Sequence, residues 1–274
     1  MRYASPLRYP GGKAALAGIF FPIFSRNYFS NERLTFVEPY TGGAGVALEL
    51  LTKHIVSRIM INDLDKNIYA FWTALFQEYS RFIEKIKNVP LTIEEWRKQR
   101  SILEDNECDN FCRGFATFFL NRVNYSGILN ARPIGGVEQK GKWKIDARFN
   151  RVNLIQRLEH LYDFRSRMEV TNKDGAEIIR EYLGKNDYFL YIDPPYVRQG
   201  KNLYLTFHSE SKHIELAELL NHGDSYNWIL SYDCDPMIEN LYSNQIIERQ
   251  FLYHRANRRK HDQEYLIHSR SLVM

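Results

Sequence analysis

Leu34-Thr35-Phe36-Val37-Glu38-Pro39-Tyr40-Thr41-Gly42-Gly43-Ala44-Gly45-Val46-Ala47-Leu48-Glu49-Leu50-Leu51 decides the fold class. A short apolar run closes on a carboxylate, three glycines fall within four positions, and an apolar helical pattern starts at once: strand, tight turn, helix. A second apolar run, Arg58-Ile59-Met60-Ile61-Asn62-Asp63, again ends on an acid and precedes a helical stretch from Lys66 to Tyr79, so the two runs open a βαβ unit. Met168 to Thr171 and Tyr188 to Ile192 read as buried strands, and Trp228 to Ser231, Ile246-Ile247 and Tyr265 to Ile267 as further ones. Strands thus sit at both ends of an α/β chain. Between Phe71 and Leu161 the pattern changes: helical segments (Glu94 to Leu103, Phe111 to Arg122) precede a glycine-rich basic stretch, Asn124 to Arg148. An insertion of about 85 residues at a loop beyond the strand ends accounts for this. Residues 1–66 and 155–274 are expected to form one Rossmann-like α/β domain, and 67–154 an inserted, mostly helical one.

Composition narrows the class. Of 274 residues, 44% are hydrophobic and 26% charged, the balance of a globular chain rather than a disordered one. The longest apolar run, near Ala14 to Phe24, is broken by Gly18 and Pro22 and falls short of the roughly 20 residues of a membrane span. With no charged-then-apolar leader, the expectation is a cytoplasmic protein with no membrane contact. Cys108, Cys112 and Cys234 contain no C-x-x-C and read as free thiols; with eight histidines, they show no ligand spacing, so no metal is expected. Charge is uneven. From Cys112 to His160 nine Lys or Arg face three acids, a local +6 in a chain of net charge +4, and a second basic cluster spans Arg255 to Lys260. Such clustering suits either a phosphate backbone or a solvated face.

The glycine turn lets a ligand approach the backbone at a helix N-terminus, and Asp63 could accept from ribose hydroxyls. It fails the dinucleotide fingerprint because Leu48 stands at the third glycine, and Pro10-Gly11-Gly12-Lys13 fails as a Walker A loop. Alone, each reads as a structural turn. Asp193-Pro194-Pro195-Tyr196 carries more. Two prolines force a stiff turn just past the strand, displaying a carboxylate, a carbonyl and a ring. An exocyclic ring amine is a poor nucleophile because its lone pair is delocalised. Acceptors at Asp193 and the Pro194 carbonyl would favour the pyramidal form, with Tyr196 stacking on the base. The structural alternative is an Asp-capped turn with a packing tyrosine. Asp262-x-Glu264 beside Lys260 resembles a nuclease fragment, but the missing second acidic pair and the apolar Tyr265-Leu266-Ile267 favour a strand start.

Five motifs in order resemble the Dam-type DNA adenine methyltransferases: Leu7 to Lys13, Phe36 to Gly45, Ile61 to Asp63, Phe119 to Gly127, and Asp193 to Tyr196. The insert between the glycine turn and the Asp-Pro-Pro-Tyr turn is the order of the alpha class. The resemblance implies a Rossmann-like methyltransferase sheet and transfer of a methyl group from S-adenosyl-L-methionine to the 6-amino group of adenine in double-stranded DNA. Base flipping is implied too, with Tyr204 and Phe207 as candidates to enclose the base. Tyr9 and Lys13 would contact the cofactor, the lysine reaching its carboxylate. Tyr40 and Gly42 would line the same pocket, Asp63 would hold the ribose, and Asp193 would touch both substrates. Asp174 would face the cofactor's adenine or serve as a turn residue.

A hairpin following Arg122, Asn124 and Tyr125 would read DNA, with Ile128 as a wedge. Asn130 stands where GATC-specific members carry a guanine-reading arginine, and Arg132 follows two residues later, so adenine carries over as the target while the recognition sequence, GATC or another, stays open. The loop from Pro133 to Lys144 is also longer than in those members. Cleavage, as in restriction-modification, would fall to a separate endonuclease, and a monomer would suffice. Two other readings stand beside this one. A methyltransferase acting on RNA or a protein amide would show Asn at the turn and lack the basic insert; an inactive DNA-binding module sits poorly with intact Lys13, Asp63, Asp193 and Tyr196.

Overall fold

The apolar runs flanking the glycine turn pair as parallel strands, β1 (Thr35–Glu38) and β2 (Arg58–Asn62), with Val37 opposite Met60. The computed structural model describes residues 4–8, 12–30, 32–197, 209–222, 227–252 and 262–274. It divides into two compact units, Lys13–Leu64 with Arg167–Met274 and Met1–Gly12 with Asp65–Ser166.

The first unit holds β1, β2, β3 (Met168–Thr171), β4 (Tyr188–Ile192), β5 (Trp228–Asp233), β6 (Ile246–Leu252) and β7 (Asp262–His268). They form one sheet in the order β3-β2-β1-β4-β5-β7-β6. The first five are parallel, as expected of a Rossmann-like sheet, while β7 runs antiparallel to both neighbours. Because β1 is flanked by β2 on one side and β4 on the other, strand order reverses between β1 and β4. In open α/β sheets that switch point is where ligands bind, beyond the carboxyl ends of the strands. Both the glycine turn and the Asp-Pro-Pro-Tyr turn lie there.

Strand alternation builds the core on both faces. Phe36, Phe189 and Tyr191 meet Phe20 and Phe24 of α1 (Ala17–Arg26), with Phe20 edge-on to Phe36 at 5.1 Å. Each fully buried Phe contributes about 2–3 kcal/mol. Val37, Leu190, Ile192, Leu230 and Tyr232 face the opposite layer. That layer includes α8 (Gly175–Tyr182), α9 (Glu210–Asn221) and α10 (Pro236–Leu241). Met168 to Thr171 was expected to be buried, yet the strand is only partly covered, because it forms an edge of the sheet.

The second unit is helical: α3 (Lys66–Gln77), α4 (Tyr79–Asn88), α5 (Ile93–Glu104), α6 (Asn110–Val123) and α7 (Arg151–Tyr162). Short polar residues start these helices. Asp65, Thr92, Asp109 and Asn150 each accept a backbone N–H from the first turn of α3, α5, α6 and α7. Helices α3 and α6 approach so closely that a Cβ on Gly114 would lie 2.3 Å from the Ala70 carbonyl oxygen. Phe71, Phe82, Phe115 and Phe118 pack around that crossing.

The unit boundaries differ from the expected 66/67 and 154/155. Residues 1–12 belong with the inserted segment, which extends to Ser166. Helix α7 is the reason: Leu154, Leu158 and Leu161 are buried, Tyr162 stacks on Tyr79 at 4.0 Å, and Arg157 donates to the Ser5 carbonyl at 2.7 Å.

Candidate active site

A buried carboxylate shapes the glycine turn. Glu38 Oε2 accepts from the Thr41 hydroxyl at 2.7 Å and Oε1 from the Ala47 N–H at 2.8 Å, so the side chain caps α2 (Gly45–Thr52). Gly42 (φ 46°) and Ala44 (φ 52°) both take left-handed backbone, which lets the chain reverse between strand and helix. Gly42 N–H then donates to Asp63 Oδ2 at 2.8 Å, joining two of the expected cofactor contacts. Tyr40 is half-buried, its ring lying where a Cβ on Gly175 would come within 2.3 Å of it. Asp174 is the N-cap of α8, accepting from the Ala176 N–H and pairing with Lys212 at 3.2 Å, which favours its turn reading.

Burial pushes the Glu38 carboxyl up to about 7, opposed by its bonds to Thr41 and Ala47. The folded chain therefore keeps a proton that the unfolded chain has released, so this group's contribution to stability is greatest in acid and is lost as pH rises through about 7. Glu38→Gln, which does not ionise, is expected to gain about 3 kcal/mol on the wild type between about pH 4 and pH 8. Urea melts at several pH values read this directly; parallel curves would show that Glu38 does not titrate in this range.

The Asp-Pro-Pro-Tyr turn follows β4. Pro194 and Pro195 are buried, and Asp193 keeps 26% of its side chain exposed. Asp193 Oδ1 accepts from the Ser231 hydroxyl at 2.7 Å and the Tyr196 hydroxyl at 3.1 Å, and Lys13 Nζ lies 3.7 Å from the same oxygen. Among the described residues Oδ2 has no partner. Burial raises the Asp193 pKa, Lys13 opposes that, and Glu264 adds to it. Lys13, only 5% exposed, donates to the Tyr196 hydroxyl at 2.5 Å and pairs with Glu264 at 3.0 Å.

Two expected contacts have protein partners here. Lys13, expected to reach a cofactor carboxylate, sits among Glu264, Tyr196 and Asp193. Tyr196 was expected to stack on a base, but it is 8% exposed, with its ring in the core near Tyr232 and its hydroxyl in the polar cluster. Sequence reasoning missed four supporting residues: Glu38, Ser231, Asp233 and Glu264. Ser231 and Asp233 alternate on the apolar β5, a detectable signal; Asp233 accepts the Val197 N–H at 3.2 Å and holds the turn's exit. Glu264 does stand on a strand, as expected of Asp262-x-Glu264, and is also the ion-pair partner of Lys13.

In the helical unit, the expected hairpin is a loop closed by one antiparallel bridge, Asn124 to Pro133, with Tyr125 N–H donating to the Arg132 carbonyl at 2.9 Å. Tyr125 is 70% exposed, Asn130 and Arg132 are exposed, and Ile128 is half-buried. Arg122 and Asn124, expected to bind DNA, are engaged within the unit. Arg122 donates to the Arg148 and Pro6 carbonyls, and burial, then Arg8, Arg157 and Arg148, disfavours its charge. Asn124 is fully buried and fastens the loop. Their polar neighbours are backbone carbonyls brought to them by the fold, which sequence alone does not reveal. Tyr9, Tyr204, Phe207 and the Arg255 to Lys260 cluster lie outside the described residues.

A carboxylate and a stiff turn thus stand at the switch point of a seven-stranded sheet with one reversed strand. The D12 class N6 adenine-specific DNA methyltransferase model matches residues 9–259, and the chain belongs to that family. It methylates adenine in DNA. The chain is 21% identical over 280 residues to the Type II methyltransferase M.MjaIII of Methanocaldococcus jannaschii, covering 93% of this chain and 94% of that protein. The rRNA methyltransferase aviRa from Streptomyces viridochromogenes aligns with 12% identity and a TM-score of 0.37, covering 97% of this chain and 88% of that one. Enzymes of this class draw the methyl group from S-adenosyl-L-methionine. Among the described residues, no helix is long and apolar enough to cross a membrane, and no group of His, Cys, Asp and Glu has metal-binding geometry.

Proposed function

We propose that the chain transfers the methyl group to the 6-amino group of an adenine flipped out of duplex DNA at a short recognition sequence, with the donor held at the carboxyl ends of β1 and β2. The observation that carries this is Asp193: one oxygen is tied to Ser231 and Tyr196, while the other, in a partly exposed side chain, is left to accept from an amine.

The donor set fits S-adenosyl-L-methionine. When bound, the cofactor supplies an electrophilic methyl group on its sulfonium sulfur. Asp63, oriented by the Gly42 N–H, would accept from the ribose hydroxyls, and the half-buried Tyr40 would wall the pocket. Asp193 Oδ2 and the Pro194 carbonyl would each accept a hydrogen bond from one of the two amine N–H groups, which turns the nitrogen lone pair out of the ring plane as a nucleophile, without a covalent enzyme intermediate. Lys13 favours the ionised carboxylate that this requires. Unstacking the adenine costs a few kcal/mol, offset by phosphate and loop contacts. Tyr125, Asn130 and Arg132, exposed on the bridged loop, are the candidates to touch DNA. The Type II methyltransferase relative supports a restriction-modification role in which a separate endonuclease cuts, and a monomer would be sufficient.

Incubating the purified chain with S-adenosyl-L-methionine and unmethylated plasmid, followed by single-molecule sequencing, is expected to show 6-methyladenine at one short motif. Cofactor binding with no modified adenine would overturn the reading and turn attention to RNA and protein amides.

A further inference from the structure

The chain has four tryptophans; Trp72, Trp96 and Trp228 are buried, whereas Trp143 is 66% exposed. It sits on the loop between Pro133 and Ile145, beyond the bridged loop already assigned to DNA. An exposed indole gains nothing for folding, and this one is displayed on a stiff support.

Gln139 is the staple. Its side chain donates to the Ile134 and Gly136 carbonyls at 2.9 and 2.6 Å and accepts the Ile145 N–H at 2.8 Å. Gly135 (φ 87°), Gly136 (φ 76°) and Gln139 (φ 50°) take left-handed backbone, and a Cβ on Gly135 would come within 2.6 Å of the Trp143 carbonyl oxygen. Ile145 is buried, and the Ile134 N–H donates to the Val123 carbonyl at 2.9 Å, tying both ends of the loop to the unit. Charge around it is positive: from Arg132 to Arg148, five basic residues face two acids, and one of those acids, Glu138, pairs with Lys140 at 2.5 Å. Lys142 stands 5.8 Å from the Trp143 ring.

We propose that this loop is a second DNA-docking element, in which the Trp143 indole packs on a sugar or base of the duplex and Lys142 meets a phosphate. The proposal rests on the DNA reading above and adds a contact apart from the target amine. Aromatic contacts to nucleic acid are sequence-tolerant and contribute to affinity, while a preformed loop spends little entropy on binding.

The test uses the full chain, a labelled duplex and tryptophan emission. Wild-type emission is expected to fall on adding duplex and to stay flat in Trp143→Ala and Trp143→Phe. Trp143→Ala is expected to raise KM for DNA about tenfold with less than a twofold fall in kcat, Trp143→Phe to recover most of that loss, and Lys142→Ala to lower the salt slope of binding by about one. Wild-type emission that stays flat while the duplex binds and is methylated would overturn the proposal. So would an emission change that follows protein concentration without DNA, which would mark a contact between copies. If the wild type binds no duplex and methylates none, the DNA reading itself fails, and the docking proposal with it.

Discussion

Asp193→Ala is expected to lower kcat for methyl transfer by about 10²–10³-fold while leaving cofactor binding largely intact. On the proposed reading the variant removes the carboxylate that accepts from the amine and leaves Pro194 and Pro195 to hold the backbone. Asp193→Asn should be nearly as damaging. Ser231, Tyr196 and Lys13 all present donors toward Oδ1, so the asparagine oxygen must stay on that side. The amide NH₂ then points where Oδ2 stood, a donor facing a donor. Single-turnover rapid quench separates this from binding; an asparagine variant with near-normal rate would mean that Oδ2 is not the acceptor. Because burial raises the Asp193 pKa, the acid limb of the wild-type rate should lie above the ordinary aspartate range, with activity falling as pH drops through it.

Asn124→Ala is expected to destabilise the helical unit by about 3–5 kcal/mol and weaken DNA binding with it. Asn124 Oδ1 accepts from Trp96 Nε1 at 2.7 Å, and its Nδ2 donates to the Ile128 and Leu129 carbonyls at 3.0 and 2.8 Å. Truncation leaves the indole N–H and the Leu129 carbonyl without this partner, each costing about 1–3 kcal/mol if it stays buried, while the Ile128 carbonyl keeps the Ala131 N–H. Asn124→Asp tests the geometry: it keeps the acceptor for Trp96 but sets a carboxylate against two carbonyls, so it should recover only part of the loss. Urea melts and duplex binding measured on both variants check this. An alanine variant of wild-type stability whose loop still binds DNA would show that the bridge at Pro133 alone holds it.

The strands at both ends of the chain were legible because buried apolar runs closing on acids have few other readings, and the turns at Glu38 and Asp193 could be placed from their glycines and prolines. Helices α5 and α6 fell within a residue of the expected bounds because each has a capping residue ahead of an apolar pattern. Side-chain destinations were less legible. Arg122 and Asn124 look like nucleic-acid ligands by type, and only the fold shows that carbonyls from Pro6, Arg148, Ile128 and Leu129 claim them. Glu264 could be placed on a strand, but nothing local tells that Lys13 would stand beside it. Residues 4–8 carry no signal that they pack with the insert, since their partners, such as Asn121 to the Arg8 backbone, lie over 100 positions away.

The Lys13 to Glu264 contact spans 251 positions, and Glu264 lies on β7, the strand inserted between β5 and β6. During translation a nascent chain extended only through β6 holds Lys13 and Asp193 without Glu264, and its β5 and β6 lack the strand that joins them. The cluster around Asp193 is thus assembled by one of the longest-range contacts among the described residues, and its geometry is complete only once β7 has been made.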